Sequence, residues 1–263
     1  MANYSELNLS EEIQKAIDRM GFTEMTEIQE KAIPVMMEGH EIIAKAPTGT
    51  GKTCAFGVPI IEKIDTQANQ VQAVILCPTR ELCTQITEEL RQLAFFRPEI
   101  KVVAVYGGQP IDRQIKALKR GAQIVVATPG RMLDHLNRRT INLSKTRIAV
   151  LDEADEMLDM GFYKDVCKIL DRLPKDKQMV MFSATISREV MDIGWLYQRD
   201  TVELTVEPVK ESEPKITQYM LESTGRQKLA DLVYILQIHD YRKVMIFCNT
   251  KYNTSMICDM LTR

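Results

Sequence analysis

Residues 46–53 read APTGTGKT. Gly49 and Gly51 let a backbone turn so that its N–H groups face inward, where they bind phosphate oxygens. Lys52 follows at once, long enough to reach the β- and γ-phosphates of a nucleotide, and the Thr53 hydroxyl suits a Mg²⁺ ligand. Ala46, Pro47, Thr48 and Thr50 complete the expected loop, with Ala46 standing where the general pattern has glycine. Roughly a hundred residues later, 151–155 read LDEAD. Mg²⁺ is a hard cation that takes few carboxylates and keeps several waters, a role that Asp152 fits. Glu153 is the candidate for orienting or deprotonating an attacking water. Alone, each string has a plain reading, a glycine turn or an acidic helix cap. Together they point to metal-assisted phosphoryl chemistry.

Such residues need a frame. Short apolar runs at Ile42–Lys45, Ala73–Cys77, Val102–Tyr106, Ile124–Ala127, Ile148–Leu151, Met179–Phe182 and Val202–Val206 predict strands. Several are continuously Val, Ile, Leu or Ala, as in strands buried on both faces. Between them lie helical patterns at Lys52–Lys63, Arg80–Leu93, Arg113–Lys119, Met132–Arg138 and Asp165–Leu173. That alternation predicts an α/β fold built of βαβ units around a mostly parallel sheet. Ligands of such sheets bind beyond the carboxyl ends of the strands. Both chemical strings fall there, one after Ile42–Lys45 and the other after Ile148–Leu151.

The bulk properties narrow the classes. The chain has 263 residues, 45% hydrophobic and 27% charged, which excludes disordered, collagen-like and disulfide-scaffold chains. The net charge of −2 means that any nucleic-acid site is a local patch. Six cysteines form no CxxC pair and the three histidines lie far apart, so no zinc-ligand spacing exists and reduced thiols in a cytoplasmic protein are expected. The first residues have neither a basic stretch nor an apolar core, so no signal peptide is expected, and no apolar run is long enough to cross a membrane. The basic run Lys116–Arg120 and the pair Arg138–Arg139 read as solvated helix faces, and Met157–Met160 as packing.

Five motifs, APTGTGKT (46–53), PTRELCTQ (78–85), TPGR (128–131), DEAD (152–155) and SAT (183–185), occur in an order and spacing that resemble the N-terminal core of DEAD-box ATP-dependent RNA helicases. LDHLNRRTINL (133–143) and LDEADEMLDMGF (151–162) resemble the bacterial branch with cold-shock and ribosome-assembly members. The resemblance implies a RecA-like P-loop NTPase domain. GFTEMTEIQ (21–29) is similar to the family's Q motif, which implies that Gln29 pairs bidentately with adenine N6 and N7 while Phe22 stacks on the ring. Tyr4 stands for the usual upstream Phe, and Met25 for the usual Pro. The resemblance further implies that Pro78, Thr79 and Arg80, Gly107 and Gly108, and Thr128, Pro129, Gly130 and Arg131 contact an RNA sugar–phosphate backbone, which positions RNA without reading its sequence. On the residues alone PTR and TPGR read instead as N-caps and turns, with Arg80 and Arg131 solvated. Ser183 and Thr185 would bond to the acidic tetrad through Asp155 and link hydrolysis to strand separation. Cys83 replaces the usual Ala, with little effect expected.

The domain reading is a Q-motif region at 1–31, an ATP-binding RecA-like domain at 32–206, a polar linker at 207–214 (EPVKESEP) and the start of a second RecA-like domain at 215–263. In that last part Ile216–Leu221 and Val244–Cys248 predict strands, and Gly225–His239 and Asn253–Leu261 helices. The family's second domain supplies arginines to the γ-phosphate, and such arginines contribute about 10³–10⁵ in rate, or ~4–7 kcal/mol of barrier. No HRxGR-like motif is present. The expectation is a chain that binds ATP or ADP with Mg²⁺, turns over slowly and unwinds nothing alone, with RNA, a second RecA-like domain and ribosomal or RNA-decay proteins as partners. The alternative is a non-catalytic, nucleotide-gated RNA clamp or dominant-negative fragment.

Overall fold

The computed structural model describes residues 2–207, 216–225, 227–239 and 241–262. The chain divides into two compact units, Met1–Lys210 and Glu211–Arg263. In the first, seven strands form one sheet: β1 (Ile42–Lys45), β2 (Ala73–Leu76), β3 (Val102–Val105), β4 (Ile124–Ala127), β5 (Ile148–Leu151), β6 (Gln178–Ser183) and β7 (Val202–Thr205). Their order is β3-β4-β2-β5-β6-β1-β7, and every pairing is parallel. The apolar runs explain this: β2, β4 and β5 are buried at all four positions, so both faces must be covered. The edge strand β7 instead alternates half-buried with exposed residues.

Helices cover the two faces. On one face α1 (Glu11–Arg19), α2 (Glu27–Met37), α3 (Lys52–Lys63) and α4 (Arg80–Leu93) bring Ile13, Ile33, Phe56 and Ile86 onto Ile42, Ile75 and Phe182. The Phe56 and Phe182 rings lie 5.6 Å apart, tilted by 51°. On the other face α6 (Pro129–Asn137), α7 (Ala154–Asp159), α8 (Tyr163–Leu170) and α9 (Arg188–Tyr197) bring Met132, Met157, Val166 and Ile193 onto Val125, Ala149 and Met181. Helix α5 (Ile111–Lys119) runs between β3 and β4. Its basic residues Lys116 and Lys119, and Arg120 at its C-terminal cap, are exposed as expected; of the methionines read as packing, Met157 is core but Met160 is half exposed.

Helices α3 and α4 begin and end where the sequence places them, because both ends are set locally. Gly51 closes the turn before α3 with φ +85°, and the Thr79 hydroxyl accepts the Leu82 N–H at 3.2 Å as the N-cap of α4. Pro129 sits in the first turn of α6, starting that helix three residues earlier than predicted.

The second unit departs from expectation. The helices form, as α10 (Lys228–Ile238) and α11 (Lys251–Leu261), but the predicted strands Ile216–Leu221 and Val244–Cys248 are not strands. A strand is completed only by a hydrogen-bonding neighbour, and neither segment has one among the described residues. Tyr219, Met220 and Phe247 are correspondingly exposed, and no described residue from 216 to 262 is buried. The linker, apart from Glu207, lies outside the described residues.

Candidate nucleotide and RNA site

Strand order sorts the motifs along the carboxyl edge of the sheet. The ends of β5, β6 and β1 are adjacent, and they carry Asp152–Glu153, Ser183–Thr185 and the 46–53 loop. The ends of β3, β4 and β2 are adjacent too, and they carry Gly107–Gly108, Thr128–Arg131 and Pro78–Arg80. One edge therefore holds two groups of motif residues, an expected phosphate half and an expected backbone-contact half, meeting between β2 and β5.

In the phosphate half the loop is anchored by the Ala46 N–H on the Ser183 carbonyl at 2.9 Å, and the Thr50 hydroxyl donates to the Pro47 carbonyl at 2.8 Å. Gly49 and Gly51 take φ +78° and +85°. A Cβ on Gly51 would lie 2.4 Å from Gln29 Nε2 and would be strained at this φ, so a side chain there must displace the Gln29 amide. Lys52 and Thr53 are buried at the start of α3. Lys52 Nζ is sealed from solvent, has no hydrogen-bond partner among the described residues, and lies 3.9 Å from Asp152 Oδ1. Burial pushes the Asp152 carboxyl up to about 6, with the Lys52 charge pulling the other way and Glu153 adding to the rise. An ammonium held dry with only one carboxylate nearby is arranged for further negative charge. Glu153 takes φ +51°, a left-handed conformation uncommon for a non-glycine residue, and its N–H donates to Asp152 Oδ1 at 3.1 Å. That sharp turn separates the two side chains just as the chain leaves β5 for α7.

Asp155 ties the tetrad to β6. Its N–H donates to Ser183 Oγ at 3.1 Å, and its Oδ2 accepts both the N–H and the hydroxyl of Thr185 at 2.8 Å. Burial opposes ionisation of Asp155, but hydrogen bonds to its carboxylate, the two from Thr185 foremost, outweigh it and hold the carboxyl below its usual range. Ser187 caps α9 by accepting the Val190 N–H.

A cleft of about 660 Å³ opens beside the loop, lined by Phe22, Gln29, Lys52, Thr53, Asp152 and Glu153 among others. Phe22 is 40% exposed and free to take a ring against it. Gln29 is buried and already engaged. Its Oε1 accepts the Tyr4 hydroxyl at 2.7 Å and the Thr26 N–H at 2.9 Å, and its Nε2 donates to the Gly51 carbonyl at 3.0 Å. A backbone N–H only donates and a carbonyl only accepts, so the amide orientation is fixed. One Nε2 hydrogen is left over. Bidentate adenine pairing is thus not prearranged, and it needs Oε1 to give up a partner. The spacing of Thr26 and Gln29, a helix-start pattern, carried the signal for this arrangement.

Sequence reasoning left several lining residues out of the candidate site. Cys54, Gln85 and Glu89 also border the cleft, with Gln85 Nε2 donating to Glu89 Oε1 at 3.0 Å. Burial, then the Glu89 charge, pushes the Cys54 thiol up to about 12 and keeps it protonated. Only the packing of α3 on α4 turns these side chains inward.

In the backbone-contact half Pro78 is buried, Thr79 is half-buried and Arg80 is exposed. The Arg80 guanidinium lies 5.7 Å from the Tyr106 ring centroid, and its Nη1 is so close to Gly108 that a Cβ there would meet it at 2.7 Å. Arg131 Nη1 donates to the Gln109 carbonyl at 3.0 Å. Both arginines thus gather on the Gly107–Gly108 turn, beside the Thr128 N–H that donates to the Val105 carbonyl. Gly130 is exposed and Pro129 buried.

Among the described residues no group of three or more His, Cys, Asp or Glu side chains could hold a metal by itself. No helix among them is long and apolar enough to cross a membrane.

Known proteins share this architecture. The profile of the DEAD/DEAH box helicase family matches residues 26–193. The ATP-dependent RNA helicase CshA of Listeria monocytogenes is 44% identical over 251 residues, 95% of this chain and 48% of that protein. The DEAD-box ATP-dependent RNA helicase CshA of Geobacillus kaustophilus is 41% identical over 99% of this chain and 56% of its own length. The chain spans about half the length of the curated relatives it matches. A crystal structure of a DEAD box protein from the hyperthermophile Methanococcus jannaschii superposes with a TM-score of 0.74 at 40% identity, covering 99% of this chain and 70% of that one. The motifs, the parallel sheet that orders them and these likenesses agree, and the chain belongs to the DEAD/DEAH box helicase family.

Proposed function

We propose that this chain binds ATP with Mg²⁺ and presents half of an RNA-backbone site, and that the whole protein is an RNA-stimulated ATPase that opens short duplexes locally. The buried Lys52 ammonium, 3.9 Å from Asp152 and without a hydrogen bond among the described residues, is the observation that carries this reading. A β,γ-phosphate group beside it satisfies the dry ammonium and offsets its desolvation. The loop N–H groups between Gly49 and Lys52 bind the phosphate oxygens, and the start of α3 adds positive potential. The Thr53 hydroxyl and Asp152, largely through water, are the residues that fit Mg²⁺, which when bound neutralises developing phosphate charge. Glu153 orients or deprotonates the attacking water. Phe22 stacks on the adenine, and Gln29 offers its spare N–H to N7 and exchanges a partner of Oε1 for N6. Asp155, Ser183 and Thr185 connect phosphate occupancy to β6.

On the other half of the edge Thr79, Arg80, Gly107, Gly108, Thr128, Gly130 and Arg131 take the sugar–phosphate backbone. Six free cysteines fit a reducing, cytoplasmic setting.

The test is ATP turnover by the 263-residue chain with and without single-stranded RNA, beside Lys52→Ala and Glu153→Gln. We expect Mg²⁺-dependent nucleotide binding that Lys52→Ala abolishes, with turnover at least about 10³-fold below that of a family member with its γ-phosphate arginines. Nucleotide affinity unchanged in Lys52→Ala overturns the site assignment. Fast, RNA-stimulated turnover overturns the dependence on arginines from a second domain.

A further inference from the structure

The polar cluster behind the Gly107–Gly108 turn is more ordered than a surface loop needs. Gln114 on α5 and His135 on α6 are 4% and 0% exposed, yet both are polar. Gln114 Nε2 donates to the Tyr106 carbonyl at 2.9 Å, while its Oε1 accepts Arg131 Nη1 at 3.1 Å. The Tyr106 carbonyl can only accept and the guanidinium can only donate, so the Gln114 amide has one possible orientation. Its Oε1 also faces His135 Nε2 at 3.0 Å, which therefore carries the ring proton. His135 Nδ1 is left as an acceptor and faces the Thr140 hydroxyl at 2.7 Å, whose single proton it shares with the His135 carbonyl at 3.1 Å. The hydrogen bonds thus run in a single sense from Thr140 through His135 to Gln114, where Arg131 joins, and on to Tyr106. Burial, reinforced by the charge of Arg131, holds His135 below its ordinary pKa and keeps it neutral, as this tautomer requires.

Arg131 Nη1 is spent on two protein acceptors, Gln114 Oε1 and the Gln109 carbonyl. Its phosphate contacts fall to Nη2 and Nε. Tyr106, whose carbonyl Gln114 holds, opens the turn, and its hydroxyl accepts Gln109 Nε2 at 2.7 Å. One buried amide therefore fixes both a guanidinium from the β4 end and a glycine turn from the β3 end.

We infer that Gln114 and His135 are positioning residues that preassemble Arg131 and the Gly107–Gly108 turn into one RNA-backbone surface. The inference rests on the RNA reading above and adds residues that act through Arg131 without touching RNA. Preorganisation of this kind strengthens binding by removing the ordering cost from the binding step.

The test is a double-mutant cycle on the 263-residue chain. Gln114→Met, Arg131→Ala and the double variant are titrated against a fluorescent single-stranded oligouridine at low salt, with Mg²⁺ and a non-hydrolysable ATP analogue. Fluorescent ADP binding and thermal unfolding are read in parallel. Gln114→Met is expected to weaken RNA binding about tenfold, the loss of one hydrogen bond to a charged group, with ADP affinity unchanged. In the Arg131→Ala background the same change should have no further effect. Gln114→Glu keeps an acceptor for Arg131 and His135 but loses the donor to the Tyr106 carbonyl, so its RNA affinity should fall between those of the parent and Gln114→Met. If Gln114→Met does not fold, His135→Asn, too short to reach Gln114, replaces it in the cycle.

An RNA affinity within twofold of the parent in the folded variant, or equal losses in both backgrounds, overturns the inference. A parent chain that binds ADP but no RNA overturns the RNA reading itself, and this inference with it.

Discussion

The Lys52–Asp152 pair gives a prediction whose sign differs between stability and function. The two side chains are 7% and 3% exposed, and Nζ and Oδ1 are 3.9 Å apart. At an effective dielectric constant of about 20, unit charges at that separation attract by about 4 kcal/mol. Each ion meanwhile loses several kcal/mol of hydration on burial, and two such penalties exceed ~4 kcal/mol. That Asp152 is pushed up to about 6 despite the neighbouring ammonium agrees, because burial outweighs the attraction. Replacing both charges with isosteres, Lys52→Met with Asp152→Asn, should therefore stabilise the nucleotide-free protein by about 1–4 kcal/mol. For a unit of roughly 200 residues each kcal/mol moves the melting temperature by about 2–4 °C, so a rise of about 5–10 °C corresponds to the middle of that range. The single variants should melt below the double. Asp152→Asn is the worst, since it strands an ammonium, whereas the carboxyl stranded by Lys52→Met can take up a proton. The assay is thermal unfolding at neutral pH in chelator, with ADP binding lost in the double variant. A double variant that melts below the parent refutes the reasoning, for it requires a pair that stabilises the empty site.

Three further outcomes follow from local geometry. Gly51→Ala forces a side chain into φ +85° and places Cβ 2.4 Å from Gln29 Nε2; the conformation alone costs about 1–2 kcal/mol, so calorimetry should show a lower melting temperature and no ADP binding. Phe22→Ala removes a ring that is 40% exposed, so stability should change by less than about 0.5 kcal/mol, while ATP affinity falls about 5–150-fold from loss of ~1–3 kcal/mol of stacking, read by equilibrium titration. His135 has its pKa lowered from 6.5 by burial first and by Arg131 second, with Asp134 opposing. The unfolded chain then binds a proton that the folded chain refuses, so this contribution is complete above pH 6.5 and is lost as the pH falls below it, by at most about 1.4 kcal/mol per pH unit. Melting curves from about pH 8 to pH 5 should fall more steeply for the parent than for His135→Gln, and parallel curves would remove His135 as the source.

The sequence by itself determined what hydrogen bonds along the chain or repeats within it can fix. Helices α3 and α4 run from Lys52 to Lys63 and from Arg80 to Leu93 as read, since their caps, Gly51 and Thr79, and their bonding partners lie within a few residues. The continuous apolar runs of β2, β4 and β5 foretold burial on both faces, and the glycine spacing foretold the turned loop of 46–53. Strand pairing is different, because each ladder bond reaches a residue tens of positions away. The same Val- and Ile-rich signal that gave seven real strands misled at Ile216–Leu221 and Val244–Cys248, where no described neighbour completes the ladder.

The order β3-β4-β2-β5-β6-β1-β7, which sorts the motif residues into two groups along one sheet edge, was likewise decided only in three dimensions. So were the engagement of Gln29 by Tyr4, 25 residues away, and the chain of bonds through Gln114 and His135. A buried amide or imidazole is read as polar from sequence, but its role depends on which donors and acceptors the tertiary fold brings to it.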